Sequence, residues 1–232
     1  MKFFRVAFRP ETVKPMLALM FASGTSLALV AARVAWTGKM EYAALGWNLF
    51  LAWLPLVFAF LANEEYRARR NPNWRFYVLA VTWLLFFPNA PYIFTDLTHL
   101  TTRYYGHFWV DMVLILMCAM TGLILGFLSL YLMQGVVARM FGRVASWLFI
   151  AAIAVLSSFG IYLGRFLRLN SWDVLFKPVA VYHGIGQWAD NPLAQSNSYA
   201  FPALFAIFLF VAYLMLYGLT QLQPAQLANR AD

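Results

Sequence analysis

Six apolar runs of membrane-spanning length constrain this chain more than any other feature. They lie near residues 16–36, 43–62, 75–95, 109–133, 144–164 and 199–221. A transmembrane helix needs about 20 predominantly apolar residues. Only 11% of the residues are charged, whereas soluble domains carry about 25%. The sequence therefore predicts an all-α fold, a polytopic transmembrane helical bundle of about six spans.

The basic residues are distributed unevenly between the segments that connect these runs. If the N-terminus is cytoplasmic, eleven of the 17 Lys and Arg residues lie inside and six outside. This asymmetry follows the positive-inside rule and predicts that both termini are cytoplasmic. The net charge of +8 is then a topology signal and does not indicate nucleic-acid binding. The inside group is Lys2, Arg5, Arg9, Lys14, Arg67, Arg69, Arg70, Arg75, Arg139, Arg143 and Arg230; the outside group is Arg33, Lys39, Arg103, Arg165, Arg168 and Lys177.

Three regions follow from these patterns. A basic cytoplasmic leader, 1–15, precedes the membrane domain, 16–221, and a polar cytoplasmic tail, 222–232, follows it. The first apolar run is longer than the h-region of a signal peptide, so it predicts an uncleaved anchor. The longest extracytoplasmic loop is 165–198, and its first part, 171–176, predicts a short interfacial helix after the fifth span.

The third run ends in a segment that lipid tolerates only where protein or a water-filled cavity covers it. Pro88 and Pro91 lack an amide donor and interrupt helical hydrogen bonding. Residues that precede proline favour extended backbone, which here concerns Phe87 and Ala90. The chain is therefore expected to unwind near Phe87, and the Asn89 side chain is expected to bond the freed carbonyl groups.

Residues able to perform acid–base chemistry concentrate at the predicted outer end of the bundle. We expect spans three to five to form a polar pocket there. Asp96, His99 and Asp111 are the candidate catalytic groups. Arg165 and Arg168 are expected to face the two aspartates and to hold an anionic group. The other candidate ligand-binding residues are Asn89, Tyr92, Asn170, Trp172 and Asp173.

Three interpretations of these residues remain open. One is a network of ion pairs that ties spans three, four and five together, because buried charges must be paired. Another is a site for an anionic lipid or small molecule, built on the two arginines. The last is a divalent metal site, for zinc or manganese, although the spacing matches no recognised metal motif. Its candidate ligands are Asp96, His99, His107 and Asp111.

These interpretations lead to different functions. A pocket with catalytic or binding groups suits an enzyme or a receptor for a lipid or small molecule. A transporter of such molecules is an alternative, and so is a structural or assembly protein whose polar residues form interhelical salt bridges. The lipid bilayer is the partner that the composition of the sequence implies. The sequence specifies no cofactor and no oligomeric state.

One local resemblance points toward hydrolysis. Glu64-Glu65-Tyr66-Arg67-Ala68-Arg69 resembles the Glu-Glu-x-x-x-Arg motif of intramembrane glutamic endopeptidases. His107 and Asp111 resemble a further His-x-x-x-Asn/Asp motif of that family. The Phe-x-x-x-His motif is missing, however, and the predicted topology separates the glutamates from His107. A general base must lie within hydrogen-bond reach of its partners, so a solvated, charge-paired loop explains the segment better.

A longer resemblance covers roughly residues 43–215. Three stretches carry it: residues 47–55, residues 86–100 and residues 162–173, with the sequences WNLFLAWLP, FFPNAPYIFTDLTHL and YLGRFLRLNSWD. They are similar to a bacterial family of uncharacterised multi-span membrane proteins, a domain of unknown function. The resemblance implies a helical protein of the bacterial inner membrane and supplies no catalytic residues.

Overall fold

The computed structural model describes residues 10–69, 71–102, 107–169, 173, 177–190 and 197–221. Within these ranges the chain is helical and contains no strand, which confirms the predicted all-α class. We number the helices α1 (Pro10–Thr37), α2 (Ala43–Arg69), α3 (Trp74–Phe86), α4 (Asn89–Tyr92), α5 (Phe108–Phe166), α6 (Pro178–Asp190) and α7 (Asn197–Thr220), with 3₁₀ segments at Met40–Tyr42 and Ile93–Thr102.

Five segments in the described part are long and apolar enough to cross a membrane. Their outward surface is also apolar: Phe21 is 78% exposed, Leu204 66% and Met215 68%. Soluble monomers rarely expose extensive apolar patches, so this surface indicates a membrane protein. The five segments are Val13–Thr37, Met40–Arg69, Trp74–Thr98, Phe108–Phe166 and Tyr199–Thr220.

The 59-residue helix α5 folds back on itself at Gly142. Tyr131 and Trp147 both contact the ring of Tyr217, with ring centroids 6.1 Å and 5.0 Å from it. In a straight helix those two residues would be about 24 Å apart. Gly142 has φ 87° and ψ 175°, a conformation almost restricted to glycine. The helix therefore comprises two antiparallel arms, 108–141 and 143–166.

The segment with the two prolines interrupts the helix, but its backbone dihedral angles differ from the expected ones. Helix α3 ends at Phe86, next to the predicted position. Phe87 nevertheless keeps helical dihedral angles, φ −55° and ψ −42°, so the expected unwinding of its backbone was wrong. Phe87 is 1% exposed, and its packing in the core outweighs the steric bias before Pro88. The interruption lies in the hydrogen bonds: Ala90 N–H donates to the Phe87 carbonyl three residues back, at 3.1 Å.

The short helix α4 packs against glycines of the first arm of α5. A Cβ added to Gly122 would lie 2.8 Å from the Ala90 carbonyl oxygen. A Cβ added to Gly126 would lie 2.9 Å from the Ala90 Cβ. Small residues spaced by four allow helix backbones to approach closely in membranes. The two glycines thus hold the proline-containing segment against the bundle.

Helix α6 occupies part of the predicted loop 165–198. It packs back against the end of α5, where a Cβ added to Gly184 would lie 3.2 Å from side-chain atoms of Leu167 and Leu169. The predicted interfacial helix at 171–176 falls mostly on residues outside the described part of the chain. Helix α6 therefore lies beside the residues that follow the end of α5.

Candidate functional site

The candidate site is centred on Asp96, which the 3₁₀ segment Ile93–Thr102 places in a buried position at one end of the bundle. Arg165 Nη1 lies 3.3 Å from the Asp96 Oδ1. Asn48 Nδ2 donates a hydrogen bond to the Asp96 Oδ2 at 3.1 Å. Arg165 also donates through Nη2 to the Thr98 hydroxyl. Three segments that are distant in the sequence therefore meet at one carboxylate.

A cavity of about 380 Å³ opens beside this ion pair. Asn89 and Tyr92 of α4 line it together with Asp96 and Arg165. Asn48 also lines the cavity, and its amide carries no charge. One carboxylate and one guanidinium compensate each other, so the lining contributed by the described residues offers hydrogen-bond donors and acceptors without a net charge.

A second, apolar cavity of about 250 Å³ adjoins the first. The two share Pro88, Gly160 and Leu169 as lining residues. Ser157 lines the apolar cavity and is 2% exposed. Its hydroxyl has no hydrogen-bond partner among the described residues, whereas buried hydroxyl groups are normally hydrogen-bonded. A polar space and an apolar space thus meet where α3 is interrupted.

A separate ion pair joins α1 to the start of α5. Arg33 Nε lies 2.8 Å from the Asp111 Oδ1, and the two side chains are 4% and 3% exposed. The Tyr42 hydroxyl donates to the other carboxylate oxygen at 2.9 Å. The Arg33 guanidinium also lies over the rings of Trp36 and Tyr42, 5.2 Å from each centroid. This cluster has the geometry of an interhelical lock, because both charges are buried and paired.

The family model that describes a protein of unknown function, DUF1361, matches residues 47–217. This chain belongs to the DUF1361 family. The matched region includes Asn48, Asp96 and Arg165, whereas Arg33 and Tyr42 precede it. No curated protein and no solved structure matches the chain.

The DUF1361 chain brings together only part of the predicted site. Four of the predicted residues line the polar cavity together: Asp96, Arg165, Asn89 and Tyr92. Arg168 was expected beside Arg165 on one helical face; instead it follows the end of α5, with φ 55° and an exposed side chain. Asp111 was expected to face those two arginines and is instead paired with Arg33.

The remaining predicted residues lie outside this cavity or outside the described part of the chain. His107 is exposed and packs against Trp36, with ring centroids 5.4 Å apart. Asp173 is buried and lies 3.9 Å from the Lys177 Nζ. Asn170, Trp172 and the side chain of His99 fall outside the described part.

The predicted metal site stays a prediction for the DUF1361 chain. Among the side chains that the structure describes, no group of three His, Cys, Asp or Glu residues could hold a metal ion. The candidate set was Asp96, His99, His107 and Asp111, and the His99 side chain is not among those described. The carboxylates of Asp96 and Asp111 accept hydrogen bonds from different partners, Asn48 and Tyr42.

Glu65, one of the two glutamates that resemble a protease motif, has structural partners. Glu65 lies 3.3 Å from the Arg69 Nε and accepts a hydrogen bond from Asn73 at 2.9 Å. The Asn73 side chain in turn accepts from the Phe76 N–H at 3.0 Å and caps α3. The structure therefore shows the expected i, i+4 charge pair, but the segment forms the last turns of α2 and is not the solvated loop that the sequence indicated.

Sequence reasoning missed Arg33, Tyr42 and Thr98. Arg33 was counted as a topology signal, although it lies inside the first apolar run. A charged residue within a membrane span is costly unless it is paired, and that cost was the available signal. The bond between Asn48 and Asp96 was also not predicted.

Proposed function

We propose that this protein spans the membrane six times and binds an amphiphile at the outer membrane boundary. The polar head, zwitterionic or uncharged, occupies the Asp96 cavity, and its apolar portion enters the adjoining apolar cavity. The observation that carries the proposal is the convergence of Asn48, Asp96 and Arg165 on a cavity that shares a wall with an apolar one.

The charge balance of the cavity favours a head group without net charge. Arg165 is engaged by Asp96 and Thr98, so its charge is already compensated. An anionic ligand would have to compete with the Asp96 carboxylate, which is buried and therefore expensive to leave unpaired. A zwitterion offers a negative group to Arg165 and a positive group to Asp96, and a hydroxyl-rich head can bond both.

The reversal of α5 supports the topology that we propose. We count each arm of α5 as one crossing and add α1, α2, α3 and α7, which gives six crossings and leaves both termini on the same side. The positive-inside rule assigns that side to the cytoplasm. In a Cys118→Ala background, Lys39→Cys should react with a membrane-impermeant maleimide added to intact cells, and Arg69→Cys should not. The opposite pattern would invert the assignment.

The binding proposal is tested with three lipids that carry identical acyl chains: phosphatidylethanolamine, phosphatidylglycerol and diacylglycerol. Native mass spectrometry of the purified protein measures the dissociation constant of each lipid. Loss of a hydrogen bond to a charged group costs about 1.5–3 kcal/mol. Arg165→Gln should therefore weaken binding of the zwitterionic lipid about 10-fold or more.

Arg168→Gln is the matched control, because Arg168 lies three residues away and outside the cavity lining. It should leave the affinity unchanged. Equal effects of both variants, or no effect of Arg165→Gln in a folded protein, would contradict the proposal.

Lipid or small-molecule transport is the second candidate function. The interruption between α3 and α4 favours it, since discontinuous helices form substrate sites in transporters. Liposomes containing the protein and a fluorescent phosphatidylethanolamine distinguish the two candidates through the rate at which dithionite quenches inner-leaflet lipid. Faster quenching that depends on Arg165 would favour transport over binding alone.

A further inference from the structure

A cationic cavity lies at the end of the bundle opposite to Asp96. The volume of this cavity is about 480 Å³. It is lined by Arg67 of α2 and by Arg139 and Arg143, which lie on either side of the reversal in α5. No Asp or Glu is among its lining residues within the described part of the chain. The second arm runs from Arg143 to Arg165, which separates this cavity from the other site by about 33 Å.

Arg139 is held in position by two contacts. Its Nη2 donates to the Asn63 side-chain oxygen at 2.7 Å, and Asn63 is 3% exposed. Its guanidinium also lies over the Tyr66 ring, 5.6 Å from the centroid. Arg67 and Arg143 have exposed side chains. Three like charges around one cavity repel each other, so a bound anion would stabilise the arrangement. Guanidinium groups suit phosphate in particular, because their N–H groups match the spacing of phosphate oxygens.

An apolar cavity of about 510 Å³ adjoins the cationic one. Tyr131 and Tyr217 line both cavities. The apolar cavity lies between α1, the first arm of α5 and α7, where Ala18, Leu19 and Phe127 contribute to its lining. A soluble phosphate would use only the cationic part, whereas a phospholipid would place its phosphate there and an acyl chain in the apolar part.

We propose that Arg67, Arg139 and Arg143 bind the phosphate of an anionic phospholipid whose acyl chain lies in the cavity between α1 and α7. This site is independent of the Asp96 site. It selects for negative charge, whereas the Asp96 cavity selects for a head group with no net charge.

Native mass spectrometry of the full-length protein tests this site with phosphatidylglycerol and with phosphatidylcholine of the same acyl chains. Each arginine near a membrane surface contributes about 5-fold to the affinity for an anionic lipid. Arg67→Gln/Arg143→Gln should therefore weaken phosphatidylglycerol binding roughly 25-fold and phosphatidylcholine binding little. Both side chains are exposed, so the variant should fold, which its unfolding temperature verifies.

Arg75→Gln is the matched control. Arg75 is exposed and does not line the cavity, so its replacement should leave the preference for phosphatidylglycerol intact. An unchanged preference in Arg67→Gln/Arg143→Gln, or an equal loss in Arg75→Gln, would overturn the proposal.

The acyl-chain part of the proposal has its own test. Ala18→Phe fills the apolar cavity and should weaken phosphatidylglycerol binding several-fold. Soluble glycerol phosphate should not displace the lipid at comparable concentrations. Displacement by glycerol phosphate, or no effect of Ala18→Phe, would assign the arginines to a soluble phosphate compound and overturn the lipid proposal.

Discussion

Removal of Arg33 should destabilise the bundle far more than removal of an exposed arginine. Arg33→Met deletes the partner of the Asp111 carboxylate, whose side chain is 3% exposed. The carboxylate would keep the hydrogen bond from the Tyr42 hydroxyl, at 2.9 Å, but would lose the Arg33 guanidinium. Breaking a buried ion pair by removing one partner costs about 3–5 kcal/mol, and we expect a loss of unfolding free energy in that range.

A double variant separates the cost of an unpaired charge from the value of the ion pair. Arg33→Met/Asp111→Leu removes both charges and takes from the Tyr42 hydroxyl its bond to the Asp111 carboxylate, which costs about 1–3 kcal/mol. The double variant should therefore be more stable than Arg33→Met alone. Arg69→Met is the exposed control: Arg69 is 58% exposed and lies 3.3 Å from Glu65. Its loss should cost only about 0.3–0.5 kcal/mol.

The assay is reversible unfolding in mixed micelles at neutral pH, with the free energy measured as the fraction of denaturing detergent rises. Equal losses for Arg33→Met and Arg69→Met would show that Asp111 is solvated and would refute the reasoning from burial. The coupling between Arg33 and Asp111 would be refuted if Arg33→Met/Asp111→Leu lost as much unfolding free energy as Arg33→Met and Asp111→Leu together.

The same assay checks three further predictions. Gly126→Ala should cost about 1–3 kcal/mol by overpacking against the Ala90 Cβ, which would lie 2.9 Å from the new methyl group, and Ala90→Gly should recover part of that loss. Tyr213→Phe removes the buried 2.6 Å hydrogen bond to the Gln134 side chain and should cost about 1–3 kcal/mol. Gly142→Ala should cost about 1–3 kcal/mol, because the backbone there has φ 87°; no loss would mean that the reversal relaxes without strain.

The class of the fold could be predicted from the sequence because hydrophobic length is a local property. Each apolar run is long enough by itself to require a helix in lipid, and the helices occur where the runs lie. The geometry at Phe87 was harder to predict, because the steric bias before Pro88 competes with packing of the Phe87 ring. That packing is set by residues elsewhere in the chain, and it kept the dihedral angles helical.

The candidate site was predictable only in part. Asp96 and Arg165 were expected to meet because both lie at the same predicted membrane boundary. The partner of Asp111 was missed because the choice between Arg33, Arg165 and Arg168 depends on which helix lies beside the start of α5. Arg168 was misplaced for a local reason: the helix ends at Phe166, two residues before Arg168, so the i, i+3 spacing from Arg165 does not apply.

Two buried serines of α5, Ser129 and Ser158, bear on whether the protein transports its ligand. The Ser129 hydroxyl donates to the Gly126 carbonyl at 2.7 Å and accepts from the Trp83 indole at 3.1 Å. Ser158 likewise donates within its own helix, to the Val155 carbonyl at 2.8 Å. The donor of each of these two hydroxyl groups is therefore already used within its own helix. A donor that is already used is not offered to a passing polar head group, and for this reason we propose two separate amphiphile sites in place of a single route across the bundle.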